Sequence, residues 1–196
     1  MTADDISTDA DLVRRAGAGE QRAFSLLVAR HKHWLYRFVR RYVGDADEAY
    51  DVVQDAFVAA MSNLHRYDLQ RPFEAWLRRI ALNKCRDRAR YDAVRRAFGL
   101  GRRENARADA APDFAPGVEA AISTNVALDV LDKAIQALPT GLKEPLVLTM
   151  LEGLSQKEAG DLLGISAKAV EVRVYRAKRQ LASMLDRDVM SDLIAP

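Results

Sequence analysis

Aromatic rings and cations are interleaved between residues 65 and 88, where His65, Arg66, Tyr67, Trp76, Arg79, Asn83, Lys84, Arg86 and Arg88 share one stretch of chain. Ring faces let bases stack, and neighbouring Arg or Lys meets phosphate, so this mixture suits holding an extruded base or an opened strand. Trp76 and Phe73 equally suit a core, which leaves Arg79, Asn83 and Lys84 as the better contacts. A second cationic group, Lys168, Arg173, Arg176, Lys178 and Arg179, is opposed within its own segment only by Glu171. Clustered charge of this kind is the footprint of a polyanionic partner.

Other chemistry is poorly represented. No nucleophile, base and orienting acid can be paired, so no enzyme is expected. His31 and His33 point in different directions on a helix, and neither they, His65 nor Cys85 stands in a CxxC-type pattern, so no metal site is expected. Gly99-Leu100-Gly101 lacks the continuation of a nucleotide-binding loop, and no cofactor is expected. The single Cys85 excludes an intrachain disulfide and fits a reducing compartment. The acidic, polar stretch Met1 to Asp11 has no apolar core, and no apolar run is long enough for a bilayer; a soluble, cytoplasmic protein without membrane insertion is the expectation.

The elements that must position these residues are helical. A chain of 196 residues with 49% hydrophobic content can form two small domains. Its net charge is only +2, yet Arg78, Arg79, Lys84, Arg86, Arg88, Arg90, Arg95, Arg96, Arg102 and Arg103 face only Glu74, Asp87 and Asp92 locally. From Glu20 to Tyr42, apolar residues recur at the three-and-four spacing of an amphipathic helix, and Gly44 ends it. Asp45 has the form of an N-cap for a second helix with Val52, Val53, Ala56, Phe57, Ala60, Met61 and Leu64 as its buried stripe. After a loop from His65 to Pro72, a third helix runs from about Phe73 to Arg90, with Phe73, Trp76, Leu77, Ile80, Ala81 and Lys84 on or beside one stripe. A short helix from Asp9 to Ala18 completes this bundle. Beyond it, a stretch rich in Ala, Gly, Arg, Asp and Pro reads as a flexible linker.

Helical periodicity returns from Asn125 to Leu138 and continues, after Pro139, through an apolar run from Leu142 to Leu154. Ser155-Gln156-Lys157-Glu158 is a capping box opening a helix through Leu163; Gly164 suits a left-handed C-terminal position, and Ser166 can cap the next helix. The two helices share Ala159, Leu162, Leu163, Ile165, Val170 and Val174, the pattern of a helix-turn-helix. With Val170, Val174, Ala177 and Leu181 inward, Lys168, Glu171, Val172, Tyr175, Arg176 and Arg179 turn outward or to the flanks. Glu171 suits a cytosine amino group, Arg176 guanine or phosphate, and Tyr175 and Val172 thymine methyls; spacing does not decide which residue does which. An ordinary helical hairpin with a solvated charged face would show the same pattern.

The ordered set Asp11-Leu12-Val13, Ala23-Phe24, Leu27, Asp51 to Phe57, Trp76 to Asn83, and Leu154 to Leu181 resembles the extracytoplasmic-function (ECF) sigma factors of bacterial RNA polymerase. The resemblance implies an all-α fold of two small helical domains: a sigma2-like bundle at 9–91, a linker at 92–123, a sigma4-like helix-turn-helix domain at 124–186 and a tail at 187–196. It implies that Asp51, Gln54, Asp55 and Phe57 dock on core RNA polymerase. It further implies that His65, Arg66, Tyr67, Trp76, Arg79, Asn83, Lys84, Arg86 and Arg88 engage the minus-ten element, and that Lys168, Glu171, Val172, Arg173, Tyr175, Arg176, Lys178 and Arg179 engage the minus-thirty-five element. Asp47 and Glu48 also suit the positive end of a helix dipole, which accounts for that helix's first turn alone. Expected partners are core polymerase, promoter DNA and an anti-sigma factor, with a monomer when free or a one-to-one complex with the inhibitor. A stand-alone helix-turn-helix regulator and a sigma-like decoy for an anti-sigma factor are the competing readings.

Overall fold

The structure, a computed structural model, describes residues 7–98 and 126–194. The chain divides into two compact units, Met1–Val118 and Glu119–Pro196. Among the described residues there is no strand. The expected linker lies outside the described residues from position 99 onward.

The first unit contains α1 (Asp9–Gly17), α2 (Gln21–Val43), α3 (Ala46–Ser62), a 3-10 turn (Leu64–Arg66) and α4 (Phe73–Ala97). Its boundaries follow local chemistry. Thr8 and Asp11 form a reciprocal capping box on α1, the Asp11 amide donating to Thr8 Oγ1 at 3.2 Å and the Thr8 amide to Asp11 Oδ2 at 3.3 Å. Gly44 closes α2 with φ 83°, a left-handed position that costs other residues strain. Asp45 Oδ1 then accepts from the amides of Asp47 and Glu48, so the expected cap of α3 is present.

Helical spacing directs Leu12 and Val13 of α1, Leu27, Leu35, Phe38 and Val39 of α2, Val52, Val53 and Phe57 of α3, and Phe73, Leu77 and Leu82 of α4 into one core. Burying each such side chain stabilises the unit by about 1.5–3 kcal/mol relative to exposure. Three expectations need correction. Met61, placed by periodicity on the buried stripe, is 50% exposed. It lines an open groove with Val13, His65 and Leu69. Ile80 is only partly buried and belongs to the outer edge of α4.

The third correction concerns α4, which continues through Ala97, past the Tyr91 at which the sequence suggested a linker. Apolar periodicity stops there, but polar pairs at helical spacing do not. Arg88 lies 3.4 Å from Asp92 and 3.8 Å from Glu48 of α3, and Arg95 donates to the Tyr91 hydroxyl at 3.2 Å.

The second unit contains α5 (Val126–Ala137), α6 (Thr140–Leu146), a π turn (Val147–Leu151), α7 (Gln156–Leu163) and α8 (Ala167–Ile194). Pro139 separates α5 from α6 as anticipated. The apolar run after it is not one regular helix: Pro145 removes a backbone donor, the Thr149 hydroxyl bonds to the Pro145 carbonyl at 2.7 Å, and the backbone widens into the π turn. Leu146, Val147 and Leu148 remain buried, and α5, α6 and α7 all pack on α8, whose Val170, Ala177 and Leu181 face the core. The α8 backbone runs through Ile194 where a tail from 187 was expected, since no Gly or Pro interrupts it before Pro196.

Candidate nucleic-acid interface

The helix-turn-helix is built by its caps. Ser155 Oγ accepts from the Glu158 amide at 3.2 Å while Glu158 Oε2 accepts from the Ser155 amide at 2.8 Å, and Gly164 ends α7 with φ 72°. Ser166 Oγ accepts from the Ala169 amide at 3.1 Å and starts α8. The turn between them is tight: a Cβ on Gly160 would lie 2.7 Å from the Ile165 carbonyl oxygen and 3.3 Å from the Ala167 nitrogen. Only glycine permits that approach of helix to turn.

This turn fixes the face that α8 presents. Lys168, Glu171, Val172, Tyr175, Arg176, Lys178 and Arg179 are exposed, and Arg173 is half-buried. Gln156 from α7 joins Glu171, Val172, Tyr175 and Lys178 around a shallow groove. Tyr175, 62% exposed, is the largest apolar body at its rim. Lys168 Nζ lies 2.8 Å from Glu171 Oε2, so these two charges pair with each other. Exposed pairs are worth about 0–1 kcal/mol, so both groups remain available to a ligand with stronger charges. Val174, expected to face inward, is half-buried and reaches the groove lining.

In the first unit, a groove between the end of α3 and the outer face of α4 is lined by Arg66, Trp76, Ile80, Asn83, Lys84 and Asp87. With Asn63 it joins two cations, one carboxylate, two carboxamides and an indole, and its α4 residues follow positions 76, 80, 83, 84 and 87, one stripe of that helix. Ile80, placed by sequence on or beside the apolar stripe, continues this stripe one turn after Trp76. Tyr67 stands against Trp76 at a centroid distance of 5.2 Å, and Phe73 lies beneath both at 5.6 Å. Trp76 is therefore neither core nor free: it is half-buried, with Phe73 supporting it. The Tyr67 hydroxyl donates to the Arg71 carbonyl and folds the loop back onto itself. Burial holds that hydroxyl above its ordinary pKa, with smaller contributions from the negative charges of Asp9 and Asp68.

The remaining sequence candidates are dispersed. His65 lines a different groove with Val13, Met61 and Leu69, and Tyr67 also lines that groove while its ring meets Trp76. Arg79 is exposed outside the Trp76 groove lining, and Arg86 donates weakly to Asn83 Oδ1 at 3.5 Å. Arg88 is turned towards Glu48 and Asp92, linking α4 to α3. Arg78, in the middle of the basic stretch, is buried: it pairs with Glu74 at 2.6 Å and stacks 5.0 Å from the Trp34 ring centre.

On α3, Gln54 and Asp55 are exposed and Asp51 is half-buried, engaged within the chain. Phe57, expected among the polymerase contacts, is only 6% exposed and packs in the core; its place on the buried stripe prevails over its place in the motif. Val58, 67% exposed, was overlooked, although it stands one turn from both Gln54 and Asp55. With Met61 it gives the acidic face an apolar component.

Among the described residues, no helix is long and apolar enough to cross a membrane, and no group of His, Cys, Asp and Glu is arranged to hold a metal ion.

Comparison with known proteins agrees with this division. Residues 27–95 match the family model of Sigma-70 region 2, and residues 128–181 match that of Sigma-70, region 4. The chain is 43% identical over 186 residues to the RNA polymerase sigma factor CnrH of Cupriavidus metallidurans, covering 92% of this chain and 96% of that protein. It is 31% identical to the ECF RNA polymerase sigma-E factor of Escherichia coli K12, covering 89% of this chain and 92% of that protein. The solved structure of CnrH in complex with the cytosolic domain of CnrY matches with a TM-score of 0.64 at 39% identity, over 92% of this chain and 98% of that one. A basic, aromatic-lined groove in a first helical unit, a capped helix-turn-helix in a second, and relatives aligned across both make this chain a member of the ECF sigma factors of RNA polymerase.

Proposed function

We propose that the two units divide promoter recognition as follows. The outer face of α3, with Gln54, Asp55 and Val58, docks on core RNA polymerase. The groove of Arg66, Trp76, Asn83 and Lys84, edged by Tyr67, takes the opened minus-ten strand by stacking and phosphate contact. The exposed face of α8 reads the duplex minus-thirty-five element in the major groove. These roles assign residues 9–91 to polymerase binding and melting, 124–186 to upstream recognition and 92–123 to the connection between them. Polymerase supplies the chemistry, and this chain supplies recognition and the binding energy that holds DNA open.

The observation that carries this reading is the Trp76 groove, where Trp76 and Lys84 of α4 meet Arg66 of the preceding turn, with the Tyr67 ring against Trp76. An inhibitor would act by covering these faces. CnrH has been solved with the cytosolic domain of CnrY, and we infer a one-to-one complex of this chain with a comparable anti-sigma partner in the cytoplasm, where polymerase works.

Two substitutions test the division. Asp55→Ala should weaken binding to core polymerase and leave duplex minus-thirty-five binding unchanged. Arg176→Ala should do the reverse, with a loss of roughly 1–3 kcal/mol if it reads a base. Equal losses in both assays for either variant would defeat the assignment.

A further inference from the structure

Beneath the Trp76 groove lies a buried polar relay. Phe73, 2% exposed, supports Tyr67 and Trp76 and also meets the His31 ring at a centroid distance of 5.1 Å. His31 is itself 6% exposed, with both ring nitrogens engaged. The Trp34 indole N–H donates to Nδ1 at 2.8 Å; an indole nitrogen can only donate, so Nδ1 accepts and Nε2 carries the proton. Nε2 then donates to Asp9 Oδ2 at 2.9 Å. Asp9 is held in turn by Arg30 at 2.6 Å, which also donates to the Ser7 carbonyl at 3.0 Å.

A leucine would fill this position without the cost of burying polar atoms. An imidazole fixed at both nitrogens instead has one ring orientation, and that orientation is in contact with the ring under the groove. Asp9 is also near enough to Tyr67 for its charge to act on the phenol. We propose that His31, locked between Asp9 and Trp34, is a positioning residue for strand binding: it sets the tilt of Phe73 and thereby the stacking ledge of Tyr67 and Trp76. The proposal rests on the reading that this ledge receives the opened strand. Its physical basis is pre-organisation, since a ledge already fixed in the free protein loses less conformational freedom on binding.

The test uses full-length protein assembled with core polymerase, and as probe the single-stranded oligonucleotide that wild-type holoenzyme enriches from a randomised pool. His31→Gln keeps one acceptor and one donor; His31→Leu keeps volume only. His31→Leu should bind the probe roughly tenfold more weakly and His31→Gln within about threefold of wild type, with core polymerase affinity unchanged in both. In a Trp76→Ala background, His31→Leu should add less than about twofold, because the residue acts through the ledge. Undiminished probe binding by His31→Leu, the same fold loss without Trp76, or a parallel loss of polymerase affinity would each overturn the proposal. Should His31→Leu fail to fold, Asp9→Ala, altered at the partly exposed end of the relay, carries the test with an expected loss of about fivefold that again vanishes without Trp76; wild-type binding by Asp9→Ala overturns it. A wild-type holoenzyme that enriches no strand, or a Trp76→Ala variant that loses none, removes the reading of the groove itself and the proposal with it.

Discussion

Arg78 stands in the densest cationic stretch of the chain and is one of the few buried charges among the described residues. Its neighbour Arg79 is exposed, one residue further around the helix. Composition announced a basic surface but could not separate these two, because the separation depends on where α2 packs. Arg78 lies against the Trp34 and Phe38 rings and pairs with Glu74, so its stem and guanidinium both pack. Arg78→Ala should therefore destabilise the first unit by roughly 1–3 kcal/mol, read by urea unfolding, since it removes packing and a stacked cation together. Arg79→Ala should leave the unfolding midpoint nearly unchanged. Equal midpoints for both variants would contradict the burial on which this distinction rests. The same limit applies to Phe57: a motif assigns it to a partner, whereas the stripe it occupies assigns it to the core.

At the scale of elements, caps were the most readable feature because they are local. Ser155, Glu158, Gly164, Gly44 and Asp45 each act within a few residues of their own position. Helix extent was less readable where apolar periodicity gave out and ion pairs took over, as between Arg88 and Arg95 of α4. The close approach at Gly160 could not be read at all, since it joins α7 to the turn through space. Gly160→Ala should destabilise the second unit by about 1–3 kcal/mol and weaken duplex binding, because the intruding methyl group meets backbone and cannot be avoided by a rotamer change. Wild-type stability in that variant would show that the α7 turn is looser than the structure implies.

A second element-scale prediction concerns acid. Asp11 in the α1 capping box has its pKa lowered, chiefly by the Thr8 hydroxyl, then by the Thr8 backbone and Arg14. A lowered folded-state value means that the stabilisation is complete above the ordinary carboxylate value and is lost as pH falls through the depressed one. Protection of the α1 amides, taken relative to their intrinsic exchange rates, should accordingly fall only in that acidic window. Thr8→Ala should move Asp11 towards its ordinary value and reduce that dependence, since the residue 8 amide and Arg14 remain. An unchanged exchange profile in Thr8→Ala would show that the cap does not hold α1.

For the whole molecule, function was legible because the two patterns occur in a set order, and neither alone would have sufficed. A helix-turn-helix fits many regulators, and an acidic helix fits any positive dipole; together with the aromatic, basic groove they describe a chain that binds RNA polymerase and promoter DNA. What stayed hidden was the support under the groove, because Asp9, His31 and Phe73 come from separate helices and no spacing rule joins them. The measurement closest to the central claim is transcription by purified core polymerase on this chain's own candidate promoters, with and without the full-length protein. Discrete transcripts starting at a fixed distance from paired upstream and downstream elements, lost in Asp55→Ala and Arg176→Ala alike, are the predicted result. Binding to core polymerase with no initiation at any such promoter, or tight duplex binding that needs no polymerase, would contradict it.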